Sequence, residues 1–179
     1  MKFEIRFHGP FRVATGAAAD GLNASYDERN PLPASSLKGV MRAHAAKPLK
    51  ITEALVDEVF GGRRDRSPWS WTDAEITDGT GRVRTQSRLD PVTHTVAKGA
   101  LFTSGEMWPA GANFEIIQRD AIDATRIDLH RAVLMAAART ITSLGSDRRR
   151  GLGWISVIPD HHWDDHLHAL LTAHRSTDE

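Results

Sequence analysis

Apolar and polar positions alternate at the start of the chain. Phe3, Ile5 and Phe7 are separated by Lys2, Glu4 and Arg6, the two-residue period of a strand with one buried face. His8 continues the polar side and Gly9-Pro10 ends the run. An irregular stretch rich in Ala, Gly, Asn and Asp reaches Pro33, and loops of this length in a compact domain are usually functional or disordered. The period then changes. Leu37, Val40, Met41 and Ala45 predict a helix with Ser35 or Ser36 as its N-cap and Pro48 as its stop. Thr52 opens a second helix with Leu55, Val56, Val59 and Phe60 on one face, and Gly61-Gly62 closes it.

The second half repeats the scheme. Trp69–Thr77 reads as a strand, residues 79–105 as a hairpin with turn signals at Asp78-Gly79, Asp90-Pro91 and Lys98-Gly99, and Asn113–Arg119 as a strand. Leu129, Val133, Ala136, Ala137 and Ile141 predict the best helix, capped by Asp123 or Thr125, with Gly145 as its C′ glycine. Trp154–Ile158 is a short last strand, and a His-rich acidic helix or tail follows. The order strand, helix, strand, strand, helix, strand predicts an α+β, ferredoxin-like βαββαβ fold, an arrangement shared with RNA recognition motifs. One domain over 1–158 and a C-terminal segment over 159–179 account for the whole length.

Composition narrows the chemistry. The 179 residues contain no cysteine, which excludes disulfides and thiolate zinc sites. No secretory or membrane-spanning apolar run is visible, so the reading is a soluble, cytoplasmic protein that does not engage membranes. Net charge is zero, yet residues 1–52 carry eight Lys/Arg against four Asp/Glu, and residues 155–179 carry one against five. Arginine clusters at Arg63-Arg64-Asp65-Arg66, at Arg82, Arg84 and Arg88, and at Arg148-Arg149-Arg150 can neutralise phosphates locally even though the total cancels.

Two segments stand out. Leu32–Arg42 places Ser35, Ser36, Lys38 and Arg42 at a helix start, where free backbone N–H groups and the positive dipole end suit a phosphate. Its bland reading is a capped helix with solvated basic residues. Gly145–Trp154 combines Arg148, Arg149 and Arg150 with Gly151 and Gly153, offering guanidinium forks on a backbone that a ligand can approach closely. Here the bland reading is a flexible connection, although three consecutive arginines exceed what a turn needs. Among nine histidines, His161, His162, His166, His168 and His174 cluster near the end and read as a solvent-facing helix, while His8 and His44 read as structural. The five tryptophans could stack on bases, but packing in the core or at its rim is the simpler reading for each.

Read together, these segments resemble the RAMP superfamily. Leu-Pro-Ala-Ser-Ser-Leu-Lys-Gly-Val-Met-Arg is similar to its "PGSSLKG…R" segment, and Arg148–Gly153 to its late glycine-rich motif. Arg88–Phe102 resembles the thumb of type III CRISPR backbone subunits, with Pro109–Glu115 leading into the next strand. The resemblance implies a modified RNA-recognition fold with a long loop after the first strand and a thumb-like hairpin insertion. It implies a guide RNA held by Ser35, Ser36, Lys38, Arg42, Arg148, Arg149, Arg150, Gly151 and Gly153. Arg88, His94, Lys98 and Phe102 would belong to the thumb that wedges into the guide–target duplex. The implied partners are guide RNA (crRNA), target RNA, further copies of the chain and other CRISPR effector subunits. It also implies cleavage of target RNA with Mg2+ or another divalent metal, Asp20 serving as catalytic and metal-binding acid and Asp27 matching a second acidic position. The family's turn before the helix motif is compressed here to Asp27–Pro31. Two alternatives stay open: a subunit of the same family that binds guide RNA without cleaving, and a metal-independent RNA-processing nuclease using His8 or His44 as general acid–base.

Overall fold

A computed structural model describes residues 1–14 and 22–176. The elements are β1 (Lys2–Phe7), α1 (Ala34–Ala46), α2 (Glu53–Phe60), β2 (Trp69–Trp71), β3 (Glu75–Thr77), β4 (Thr80–Leu89), β5 (Val96–Trp108), β6 (Gly111–Gln118), α3 (Ile127–Arg139), β7 (Ile155–Pro159) and α4 (Asp165–Ala173). The main sheet runs β2-β6-β1-β7, with β3 also paired to β6 and every pairing antiparallel. β2 and β3 together form one interrupted strand, so the α+β order expected from the sequence is the one observed. The β4–β5 hairpin forms a separate two-stranded sheet inserted between β3 and β6.

The alternation in β1 does what its period predicts. Phe3 and Ile5 are buried under the helices, while Lys2, Glu4 and Arg6 face outward. Phe3 stacks on Phe114 of β6, ring centroids 4.8 Å apart, which locks the central strand pair. α3 crosses this layer and packs on α1, β7 and α4. It is buried on most of its circumference, because Ala132, Ala136, Ala137 and Ala138 let neighbours approach closely. Among the described residues no helix is long and apolar enough to cross a membrane.

The helix ends differ from the sequence expectation for physical reasons. α1 starts at Ala34 with Pro33 in the cap position, and neither Ser35 nor Ser36 caps it. The acceptor comes instead from Asp73, 39 positions away, whose carboxylate takes the Ala34 N–H at 2.7 Å. The interruption between β2 and β3 frees that aspartate to turn toward the helix. At α3 the cap position is Arg126; Asp123 spends its carboxylate on an Asx turn with Thr125. α3 ends at Arg139, so Gly145 is not its C′ residue, although it has a φ of +82° for another purpose. Trp154 lies just outside β7. The C-terminal segment is a helix, capped by Asp164 accepting from Leu167 N at 2.8 Å, and His162 precedes it, so His162 and His166 do not share a helix face.

One polar network ties α2 to α3. Glu58 accepts from Arg126 at 2.5 Å and from the almost fully buried His130 at 2.7 Å. Trp69 donates its indole N–H to His130 Nδ1, so the ring's proton sits on Nε2 and points at Glu58. The Arg126 guanidinium, ahead of the opposing effect of burial, holds the Glu58 carboxyl below its ordinary value. A depressed carboxyl contributes stability that is complete above its unfolded pKa and disappears as pH falls through the folded value. Denaturant unfolding should therefore show wild type losing more stability than Glu58→Gln between pH ~5 and pH ~2; equal losses would mean the pair contributes nothing.

Candidate nucleic-acid interface

The glycine-rich segment after α3 is laid onto the chain that follows β1. Ser146 N donates to Arg12 O at 2.7 Å, Gly153 N to Pro10 O at 2.7 Å, and Leu144 N to Gly153 O at 2.9 Å. Two glycines make this approach possible. A Cβ at Gly145 would stand 2.3 Å from Arg12 O, and one at Gly153 would stand 1.9 Å from Leu144 O. Both also have positive φ, +82° and +75°. Between them Arg148–Arg150 form one 3-10 turn, bounded by left-handed Asp147 and Gly151.

Beneath this turn lies Arg12, only 2% exposed and not singled out by the sequence. One of its terminal nitrogens pairs with Asp147 and the other donates to Gly105 O of β5 at 3.3 Å. Phe11, its neighbour, exchanges backbone hydrogen bonds with Met107, both at 2.9 Å. The loop after β1, the hairpin base and the arginine turn thus meet at one guanidinium. Returning from the long loop, Asn23 and Ala24 bond β5 through Thr103 and Gly105. The Tyr26 hydroxyl presses so close to Gly81 that a Cβ there would be 2.4 Å away.

The arginines carried by this base remain available. Arg148, Arg149 and Arg150 are exposed, and among the described residues none is in a salt bridge. Grooves flank them on both sides. One, of about 350 Å³, runs between Ser36, Gly39 and Val40 of α1 and Gly145 and Arg148. The other, of about 700 Å³, is lined by Arg88 and Phe102 of the hairpin with Arg150. Arg84 also donates to Arg150 O at 3.3 Å, joining hairpin and turn directly. His44 sits beside the first groove; burial, then Arg148, pushes its pKa down, so it is neutral near pH 7.

The structure therefore brings together Ser36, Arg148, Arg149, Arg150, Gly151 and Gly153, with Arg88 and Phe102 across the second groove. Ser35 is exposed in the first turn of α1. Lys38 and Arg42 share a face, as their spacing requires, but it turns toward β2 and α2. Lys38 Nζ lies 5.1 Å from the Trp71 ring centroid, and Arg42 is engaged by Asp57 and Gly61 O. His94 and Lys98 are exposed in the outer hairpin, whose Val83, Leu89, Val92, Val96 and Leu101 are exposed as well. Asp20 lies outside the described residues. Asp27 accepts from Arg29 N and Asn30 N and shapes the compressed turn before α1.

Since Asp147 is the counter-charge of a buried guanidinium, Asp147→Asn should lower unfolding free energy by about 3 kcal/mol. Denaturant titration of Arg12→Met, Asp147→Asn and the double variant checks this: the double should cost clearly less than the sum, and simple additivity would show the two are not coupled.

Comparison with known proteins agrees with this geometry. The sequence model of the RAMP superfamily matches residues 5–156. No curated protein sequence matches. Among solved structures, the chain is similar to one in the type III-B Cmr-beta cryo-EM structure of the apo state, with TM-score 0.70 and 10% identity over 93% of this chain and 97% of that one. It is also similar to a chain in the type III-B Cmr-beta structure bound to cognate target RNA, with TM-score 0.61 and 17% identity over 88% of this chain and 58% of that one. Identities this low speak for a shared fold, whereas the match over residues 5–156 speaks for family: the chain belongs to the RAMP superfamily.

Proposed function

We propose that the chain is a guide-RNA-binding backbone subunit of a type III CRISPR effector ribonucleoprotein. The observation that carries this reading is the turn of three exposed arginines, in no salt bridge among the described residues, set between two grooves. A single strand following the α1 groove would pass Ser36 and Gly39, meet the guanidinium forks, and leave beside Arg88 and Phe102. Phosphates supply the charge such forks lack. The hairpin's exposed apolar residues support assembly, because an isolated two-stranded ribbon with this surface is better stabilised when duplex, neighbouring copies or other effector subunits cover it. Similarity to a chain in a structure bound to target RNA points the same way.

Filter binding of single-stranded RNA across a salt series tests this. Arg149→Ala should weaken binding and lower the slope of log affinity against log salt by about 0.7, one phosphate contact on a single strand. An unchanged slope would remove the turn from the RNA path.

Cleavage of the target by Asp20 with a divalent metal is the second part of the proposal, supported by the sequence resemblance. Among the described residues no three acidic or histidine side chains form a metal-holding group. A Mg2+ ion held by Asp20 together with RNA phosphate oxygens, a common arrangement for this ion, would stabilise charge on the phosphodiester. In an assembled complex given matching RNA and Mg2+, Asp20→Ala should abolish the regular cleavage ladder while leaving RNA binding in place. Cleavage that persists in chelator and disappears in His8→Ala or His44→Ala would instead establish the metal-independent reading.

A further inference from the structure

Trp154 is separated from the arginine turn by three residues and is 65% exposed. The other tryptophans are used. Trp69 and Trp71 are buried, Trp108 bonds Glu106 and lies against Arg82, and Trp163 lies against Arg139. The indole N–H of Trp154 has no hydrogen bond among the described residues. An aromatic surface of this size in water is costly unless something covers it.

Its position is fixed from both sides. Ile155 and Val157 of β7 are buried against the helices, so strand alternation turns Trp154 to the opposite, uncovered face of the sheet. Its carbonyl accepts from His8 N at 2.8 Å, and Gly153 before it is held by Pro10. On that face the ring meets His8 edge-on, centroids 6.1 Å apart and planes at 71°. His8 is itself steadied by Ser156 Oγ at 2.8 Å. Arg6 stands across from Ser156, its guanidinium on Glu4. The result is an aromatic ring held in place and largely exposed, separated by three residues from the cluster of forks.

Resting on the RNA-binding reading, we infer that Trp154, backed by His8, is a stacking subsite for one unpaired base of a strand whose phosphates lie on Arg148–Arg150. Continuity decides for RNA over a protein partner. The plane is separated from the arginine turn only by Gly151-Leu152-Gly153, and Gly153 is pinned to the same segment that carries His8. Stacking accepts any base, since each has a π face, so the subsite would act on guide RNA irrespective of sequence. His8 steadies the indole through this edge-type contact.

The experiment uses the full chain with two probes of equal length, a short single-stranded RNA and the same strand with its bases removed at alternating positions. Trp154→Ala should weaken the normal strand about tenfold and the base-depleted strand much less. The salt slope should stay at the wild-type value, because stacking releases no counterions. Trp154→Phe should recover most of the affinity, and His8→Ala should cost less than Trp154→Ala. Because the side chain is exposed, both Trp154 variants should unfold at the wild-type denaturant midpoint. Equal weakening of both probes, or none, would overturn the inference while leaving the RNA-binding reading intact. A change confined to oligomer mass would assign the ring to a protein contact instead. If wild type itself binds neither probe, the RNA-binding reading falls and the subsite falls with it.

Discussion

A guanidinium withdrawn from water must find acceptors, and in this chain Arg12 finds them for both terminal nitrogens, while its buried Nε has none among the described residues. Arg12 is buried between the loop after β1, the base of the hairpin and the turn after α3, and it draws an acceptor from each of the last two. An arginine turn left to itself would be a poor structure. Three like charges are adjacent, and left-handed residues on both sides confer no helical continuity. What stabilises it is the pairing beneath, together with two backbone hydrogen bonds that only glycines at 145 and 153 permit. The exposed cations are therefore positioned by a buried one. The same guanidinium also links hairpin and turn, so the two grooves share a wall whose parts do not move independently.

The sequence made the core legible because the core obeys short-range periods. Phe3 and Ile5 in β1 and the apolar stripe of α3 follow from spacing alone, and the βαββαβ order follows from their sequence. The caps were not legible, because the acceptor for Ala34 N comes from Asp73, which no local window contains. Pro33 beside two serines offered a complete local explanation that tertiary structure replaced. Arg12 was hidden for a similar reason. Between Phe11 and Val13 it falls in the stretch read as an irregular loop, and only the closure of β5 against Phe11 reveals that it faces inward. Gly145 was noticed for the right property, a positive φ, but that conformation serves the approach to Arg12 rather than the end of α3.

Charge shows most clearly what sequence leaves undecided. Arg42, Arg126 and Arg148 look alike in sequence, yet Arg42 is on Asp57, Arg126 is on Glu58, and Arg148 has no salt bridge among the described residues. A net charge of zero is thus the sum of two populations. One neutralises acids within the fold: Arg12, Arg42, Arg126 and Arg131 each have a partner. The other is at the turn, where Arg148, Arg149 and Arg150 form no salt bridge among the described residues and Asp147 is committed to Arg12. Pairing, more than abundance, decides where a polyanion gains most, since each unpaired guanidinium can take a phosphate without first surrendering a carboxylate.

The same reasoning separates the aromatic residues. Phe3, Phe114, Trp69 and Trp71 are consumed by the core, and their rings add to the energy of a structure that is already closed. Trp154 is placed by that closure without belonging to it, because strand alternation fixes Ile155 inward and so leaves its neighbour outward. A large ring held firmly by its backbone and left largely exposed loses little conformational entropy when a planar ligand arrives. On the proposed RNA path the arginines of the turn come first, and the ring stands beyond them, separated by three residues. Electrostatic capture by the forks and stacking on the plane are then additive in effect but different in kind: one weakens with salt and the other does not.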